Sequence, residues 1–235
     1  MARRYTAVRY EPVSDARRVR TRHGQRNNSV PVSSGAVRSG YGRRVGRPPR
    51  IQVPDVLYHV GSRGVEKRPI FDVVAGDRAF FLVLLGRTVL RYKWRCHTYC
   101  LMGNHFHLAV ETPEANIGAG MQYLKSRYAI WFNGQCAREG ALFERRYFSE
   151  IAVTEAHAYE LIRYISMNPV RARLCGHPRD WHWGSYPALA GLVQPPAFLC
   201  SELFHGLYGE GERGIRLLDR AVEDAIALQQ LQRAA

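Results

Sequence analysis

Two groups of side chains in this 235-residue chain could do chemistry. The first is His105-Phe106-His107. Strand side chains alternate between faces, so both imidazoles point one way and Phe106 the other. Neighbouring imidazoles can hold one divalent metal. The plainer alternative is a polar pair on a half-exposed strand. The second group is Tyr164 and Asn168, within Tyr164-Ile165-Ser166-Met167-Asn168-Pro169. On a helix they share one face, a turn apart. The Asn carbonyl oxygen is a hard, neutral ligand for Mg²⁺ or Mn²⁺. A phenol beside a bound cation is a candidate nucleophile. The alternative is a packing Tyr and a capping Asn before Pro169. A phenol ordinarily ionises at about pH 10 and needs help from a cation, an Arg or a base. No base is legible.

These residues need elements to position them. Val56 to Val60 reads as a strand closed by Gly61 and Gly64. Asp77 to Tyr92 carries apolar residues at helical spacing. Trp94 to Met102 is a second strand. Gly103-Asn104 predicts a tight turn in which both residues tolerate positive φ. His105 to Glu111 is then a third strand, antiparallel to the second. A second helix covers Ile117 to about Ala137, and a fourth strand covers Arg146 to Val153. Thr154 is a good N-cap for a third helix from Glu155 to about Met167, ended or kinked by Pro169. After Trp181 only Ile215 to Leu231 shows helical periodicity. The order predicts an α+β, ferredoxin-like (split βαβ) fold with a four-stranded antiparallel sheet. The added third helix would cross the uncovered sheet face and bring Tyr164 and Asn168 over the histidines.

Taken in order, these segments resemble a known family. The carriers are Tyr58-His59-Val60-Gly61-Ser62-Arg63-Gly64, then Leu101-Met102-Gly103-Asn104-His105-Phe106-His107-Leu108, then Arg127-Tyr128-Ala129. Arg163-Tyr164-Ile165, Asn168-Pro169-Val170-Arg171-Ala172 and Trp183-Gly184-Ser185-Tyr186 complete the series. The family is the single-tyrosine HUH transposases, in the REP-associated tyrosine transposase branch, and the resemblance spans roughly residues 53–190. It implies that His105, His107 and Asn168 hold Mg²⁺ or Mn²⁺ and that Tyr164 is the catalytic nucleophile on single-stranded or hairpin DNA. It also implies a 5′-phosphotyrosine intermediate and a free 3′-OH. The chain departs from the pattern at Gly103, where Pro is usual, and at Ser166, where the closest branch often has His. A relative that binds hairpin DNA without cutting is the alternative. An RNA-binding sheet is a third reading, weakened because histidines occupy the face where stacking aromatics would sit.

The formal charge is +14, and residues 1–50 carry 13 Arg against Glu11 and Asp15, which is +11. Residues 51–235 are nearly balanced at +3. The Arg-rich head lacks Leu, Ile and Phe, so it reads as a disordered tail, either a nucleic-acid arm or a spacer. The domains expected are this tail (1–50), a catalytic domain (51–190) and a C-terminal helical extension (191–235). Arg63, Arg145, Arg146, Arg171 and Arg173 are candidate DNA contacts. No run approaches 18 apolar residues, which argues against a membrane span. Five irregularly spaced Cys fit reduced thiols in a cytoplasmic, nucleoid-associated protein. Monomer and homodimer are both open.

Weaker signals have competing readings. Cys96 and Cys100 flank His97 and could suggest zinc, but mid-strand spacing argues against it. Glu111 shares the histidines' parity, yet lies roughly 13 Å beyond His107 at about 3.3 Å per residue. It therefore reads as a solvated or second-site residue. Tyr128 follows the apolar stripe and reads as core. His59 reads as an interior or supporting residue. Tyr147 and Trp183 could stack unpaired bases, with core packing the alternative for each.

Overall fold

Residues 52–234 are described by a computed structural model, and the Arg-rich segment lies outside them. β1 (Val56–Arg63), β2 (Arg95–Leu101), β3 (His105–Thr112) and β4 (Phe148–Ala152) form one antiparallel sheet in the order β2-β3-β1-β4. α1 (Asp77–Tyr92) joins β1 to β2, and α2 (Ile117–Gln135) joins β3 to β4. This is the expected ferredoxin-like arrangement. Among the described residues no helix is long and apolar enough to cross a membrane.

Strand parity divides the core in two. Tyr58, Val60, Tyr99, Leu101, Phe106, Leu108 and Val110 face α1 and α2, where Phe81, Leu85, Met121, Leu124 and Tyr128 close over them. Tyr128 is fully buried and donates its hydroxyl to the Ile70 carbonyl at 2.5 Å, so it is a core residue. A side-chain carbon at Gly120 would lie 2.0 Å from the Trp94 ring, so a glycine is required there. On the opposite face, Leu57, Cys100 and Ala109 lie under Ala158, Leu161, Ile162 and Ile165 of α3 (Glu155–Arg171).

Three local expectations need correction. Pro169 does not end α3, which runs on to Arg171. Pro169 has no N–H for the Ile165 carbonyl. The Asn168 side-chain amide donates there instead at 3.4 Å, and to the Tyr164 carbonyl at 3.0 Å. The Gly103-Asn104 turn uses no positive φ. Its shape is held from outside: the Gly103 carbonyl accepts from Ile70 and Phe71, and that of Asn104 accepts from Gly64. Nothing lies within 4 Å of a side-chain carbon built at Gly103, so the glycine is not required. Finally, the region after Trp181 holds three helices: α4 (Tyr186–Leu189), α5 (Glu202–Tyr208) and α6 (Gly211–Ala234). Leu203, Phe204, Tyr208, Leu218 and Val222 complete the core beneath α3.

Candidate active site

His105 and His107 leave β3 on the α3 face, with ring centroids 5.0 Å apart. His105 lies opposite Arg63, and His107 lies between Gly61 and Cys100. The Asn104 side-chain oxygen accepts from His105 Nδ1 at 2.6 Å, which leaves the Nε2 lone pair for a ligand. His107 Nδ1 lies 3.0 Å from His59 Nε2. When His107 is the donor in that pair, its Nε2 is likewise left as an acceptor. An Nε2 acceptor with a tied Nδ1 is the usual arrangement of metal-binding histidines.

Electrostatics keeps the rings neutral. Burial, then Arg63, pulls His105 down to about 4. Burial, then His105 and His59, pulls His107 to about 2, and burial, then His157, takes His59 to about 4. Neutral imidazole is the form that ligates a metal.

α3 brings the phenol. Thr154 accepts from the His157 N–H at 3.1 Å and starts the helix. One stripe of α3 then packs on the sheet, and Tyr164 sits at its margin. Its ring is edge-on to His107 at 5.8 Å and to His59 at 5.7 Å. Tyr164 is 36% exposed, so it is both anchored and reachable. The Arg171 guanidinium lies 4.9 Å from its ring centroid. Asn168 is buried one turn further on, and its side-chain nitrogen serves the helix.

Two residues that sequence reasoning undervalued complete the site. His59 touches His107 and the phenol together, and Phe148 stands edge-on to it at 4.8 Å. Gly61 makes room for that ring: a side-chain carbon there would lie 2.5 Å from Phe148 Cε1 and 2.2 Å from the Phe106 carbonyl oxygen. Parity along β1 puts His59 on the histidines' face, but only the strand order places β1 beside β3.

A neutral donor set of two imidazole nitrogens and one amide oxygen fits Mn²⁺ better than Mg²⁺, which prefers oxygen alone. Among the described residues no group of three or more His, Cys, Asp or Glu is placed to hold a metal.

The remaining sequence candidates separate. Arg63 lies beside His105, and Arg171 lies on Tyr164. Arg145 pairs with Glu144 at 2.8 Å, and Arg145, Arg146 and Arg173 are exposed and do not line the site's cleft. Cys96 and Cys100 face opposite cores because β2 bulges between Cys96 and Thr98, so they cannot share a zinc. Glu111 is buried, not solvated; it bonds Arg95 at 2.5 Å and His97 at 3.4 Å. Tyr147 is buried, whereas Trp183 is half-buried over Arg78 at 5.4 Å.

The sequence model of the IS200-like transposase family matches residues 52–168. That segment contains the whole sheet, both histidines, Tyr164 and Asn168. Residues 52–168 are an IS200-like transposase domain. The chain is also 24% identical to a REP-associated tyrosine transposase of Haemophilus influenzae strain Rd, over 49% of this chain and 77% of that one. A solved REP-associated tyrosine transposase bound to a REP hairpin has the same fold, with a TM-score of 0.52 at 9% identity. It covers 67% of this chain and 93% of that one. The resemblance to the REP-associated branch therefore holds in both sequence and fold. The two departures from the family pattern are structurally mild in this IS200-like domain. Gly103 has open space, and the Ser166 hydroxyl donates to the Ile162 carbonyl within the helix.

Proposed function

We propose that the chain is a metal-dependent single-strand DNA endonuclease and strand transferase that acts on single-stranded or hairpin DNA. The observation that carries this reading is Tyr164 held edge-on to His107 while still exposed, in an IS200-like domain. His105, His107 and Asn168 would hold the cation, Mn²⁺ or Mg²⁺, whose chemistry is to polarise the scissile phosphate. Arg63 beside His105 and Arg171 over Tyr164 supply fixed positive charge.

Tyr164 Oη attacks phosphorus and loses its proton to water. The Oη–P bond forms as the P–O3′ bond breaks. The departing O3′ takes up a proton and leaves as a hydroxyl, and the 5′-phosphate stays on Tyr164. Attack by a 3′-hydroxyl reverses these bond changes and joins strands, so no nucleotide cofactor is consumed. Arg171, stacked on the phenol face, holds the ring and favours the developing negative charge.

The test is an end-labelled hairpin oligonucleotide with Mn²⁺, with and without EDTA. The expected result is strand cleavage that leaves a 3′-hydroxyl and stops in EDTA. Salt-sensitive hairpin binding with no cleavage would instead identify a non-cutting hairpin-binding protein.

A further inference from the structure

A cleft of about 610 Å³ opens over Tyr164 and His59, and its far wall is the end of α6. That wall lies outside residues 52–168. Ala225, Leu228, Gln229 and Gln232 all line it. Their spacing of i, i+3, i+4 and i+7 makes them one helix stripe. The same face of α6 is buried at Leu218 and Val222, against α3. Ala225 still packs on that core, and beyond it the face leaves the core and turns toward the nucleophile. Leu228 is 57% exposed there, an apolar side chain with no core to serve.

Apart from Arg171, which stacks on Tyr164, the lining is unsuited to phosphate. Glu150 and Glu160 stand on the rim. Arg163 is committed to Glu160, and His157 lies 3.9 Å from Glu150. The rim is thus close to charge balance, while Leu161, Met167 and Leu228 supply an apolar surface. A ligand with a flat apolar face and a hydrogen-bonding edge fits this lining. We infer that α6 binds one unpaired nucleobase of the strand that Tyr164 attacks, with Leu228 under the ring and Gln229 and Gln232 on its edge. A glutamine amide presents one donor and one acceptor side by side, which suits a base edge. The inference rests on the proposed strand-cleaving function and adds a base-reading role for α6.

The experiment measures binding of a 5′-fluorescein hairpin oligonucleotide with single-stranded flanks to Tyr164→Phe protein. Each flanking nucleotide in turn is made abasic. One position is expected to weaken binding about tenfold, the scale of a lost base stack. In the added Gln229→Ala/Gln232→Ala background, the intact oligonucleotide should bind more weakly, and the abasic change at that position should cost much less. Gln230→Ala, exposed beside them and outside the cleft lining, should leave the penalty intact. An undiminished penalty in the double variant, or no sensitive position at all, overturns the inference. Wild-type cleavage of the same hairpin is measured alongside. Cleavage with an undiminished penalty overturns the base-reading role alone, and no binding and no cleavage overturns both it and the reading beneath it.

Discussion

His107 can offer its Nε2 lone pair only while its Nδ1 donates to His59. At the residue scale, His59 is therefore a positioning residue. Replacing it with Phe should weaken Mn²⁺ binding by about 10- to 100-fold, as loss of such partners generally does. His59→Gln keeps an acceptor and should recover part of that affinity. Mn²⁺ titration followed by electron paramagnetic resonance of the free ion reads this directly, without relying on cleavage. Equal affinity in wild type and His59→Phe would refute the role. Gly61→Ala makes the complementary prediction. Its methyl cannot coexist with the present Phe148 ring, so Phe148 and the imidazoles must shift. The expected result is a loss of about 1–3 kcal/mol in urea unfolding, the usual cost of overpacking, together with weaker Mn²⁺ binding. The shared face of the two histidines is legible in their spacing, and Tyr164 is legible through the family resemblance of its segment. His59 is not, since its place depends on β1 lying beside β3.

At the element scale, α3 does two jobs through Asn168. The amide nitrogen supports a helix that Pro169 would otherwise weaken, and in the proposed function the oxygen would ligate the cation. Asn168→Asp and Asn168→Ala separate these jobs. Both lose the donated hydrogen bonds and should lower stability by about 1 kcal/mol. Asp keeps a ligating oxygen and should retain Mn²⁺ binding, whereas Ala should lose it. If Asn168→Ala binds Mn²⁺ like wild type, the third ligand is elsewhere. The same residue explains why the sequence stops the helix too early. The rule that Pro breaks a helix is local, and a compensating side chain one residue away is not part of it. The long amphipathic elements α1 and α2 are legible because their apolar spacing repeats over many turns. α4 and α5, with four and seven residues, are too short to show a period and depend on burial against α3 and α6.

At the scale of the whole molecule, the C-terminal segment is tied to the sheet at one charged junction. The Cys200 N–H donates to the Cys96 carbonyl at 2.8 Å, and His97 reaches both the Cys200 carbonyl and Glu111. Burial pulls His97 down, but its bonds to Cys200 and Glu111 outweigh this and hold it up at about 9. A raised folded value means that this stabilisation is complete below about pH 6.5 and is lost as pH rises through about 9. The three site histidines have depressed values, so metal-free protein should instead lose stability as pH falls below about 6.5 toward 4. In EDTA the urea midpoint should therefore peak near neutral pH. His97→Gln should flatten the alkaline side and leave the acid side unchanged. A midpoint of unchanged slope in His97→Gln would remove the junction from the account.

The central claim is that Tyr164 carries the cleaved strand. The most direct measurement is peptide mass spectrometry of the protein after incubation with a hairpin oligonucleotide and Mn²⁺. One oligonucleotide-linked peptide containing Tyr164 is expected, with no adduct in Tyr164→Phe or in EDTA. An adduct on another tyrosine, or a strand cut with no covalent adduct, would contradict it.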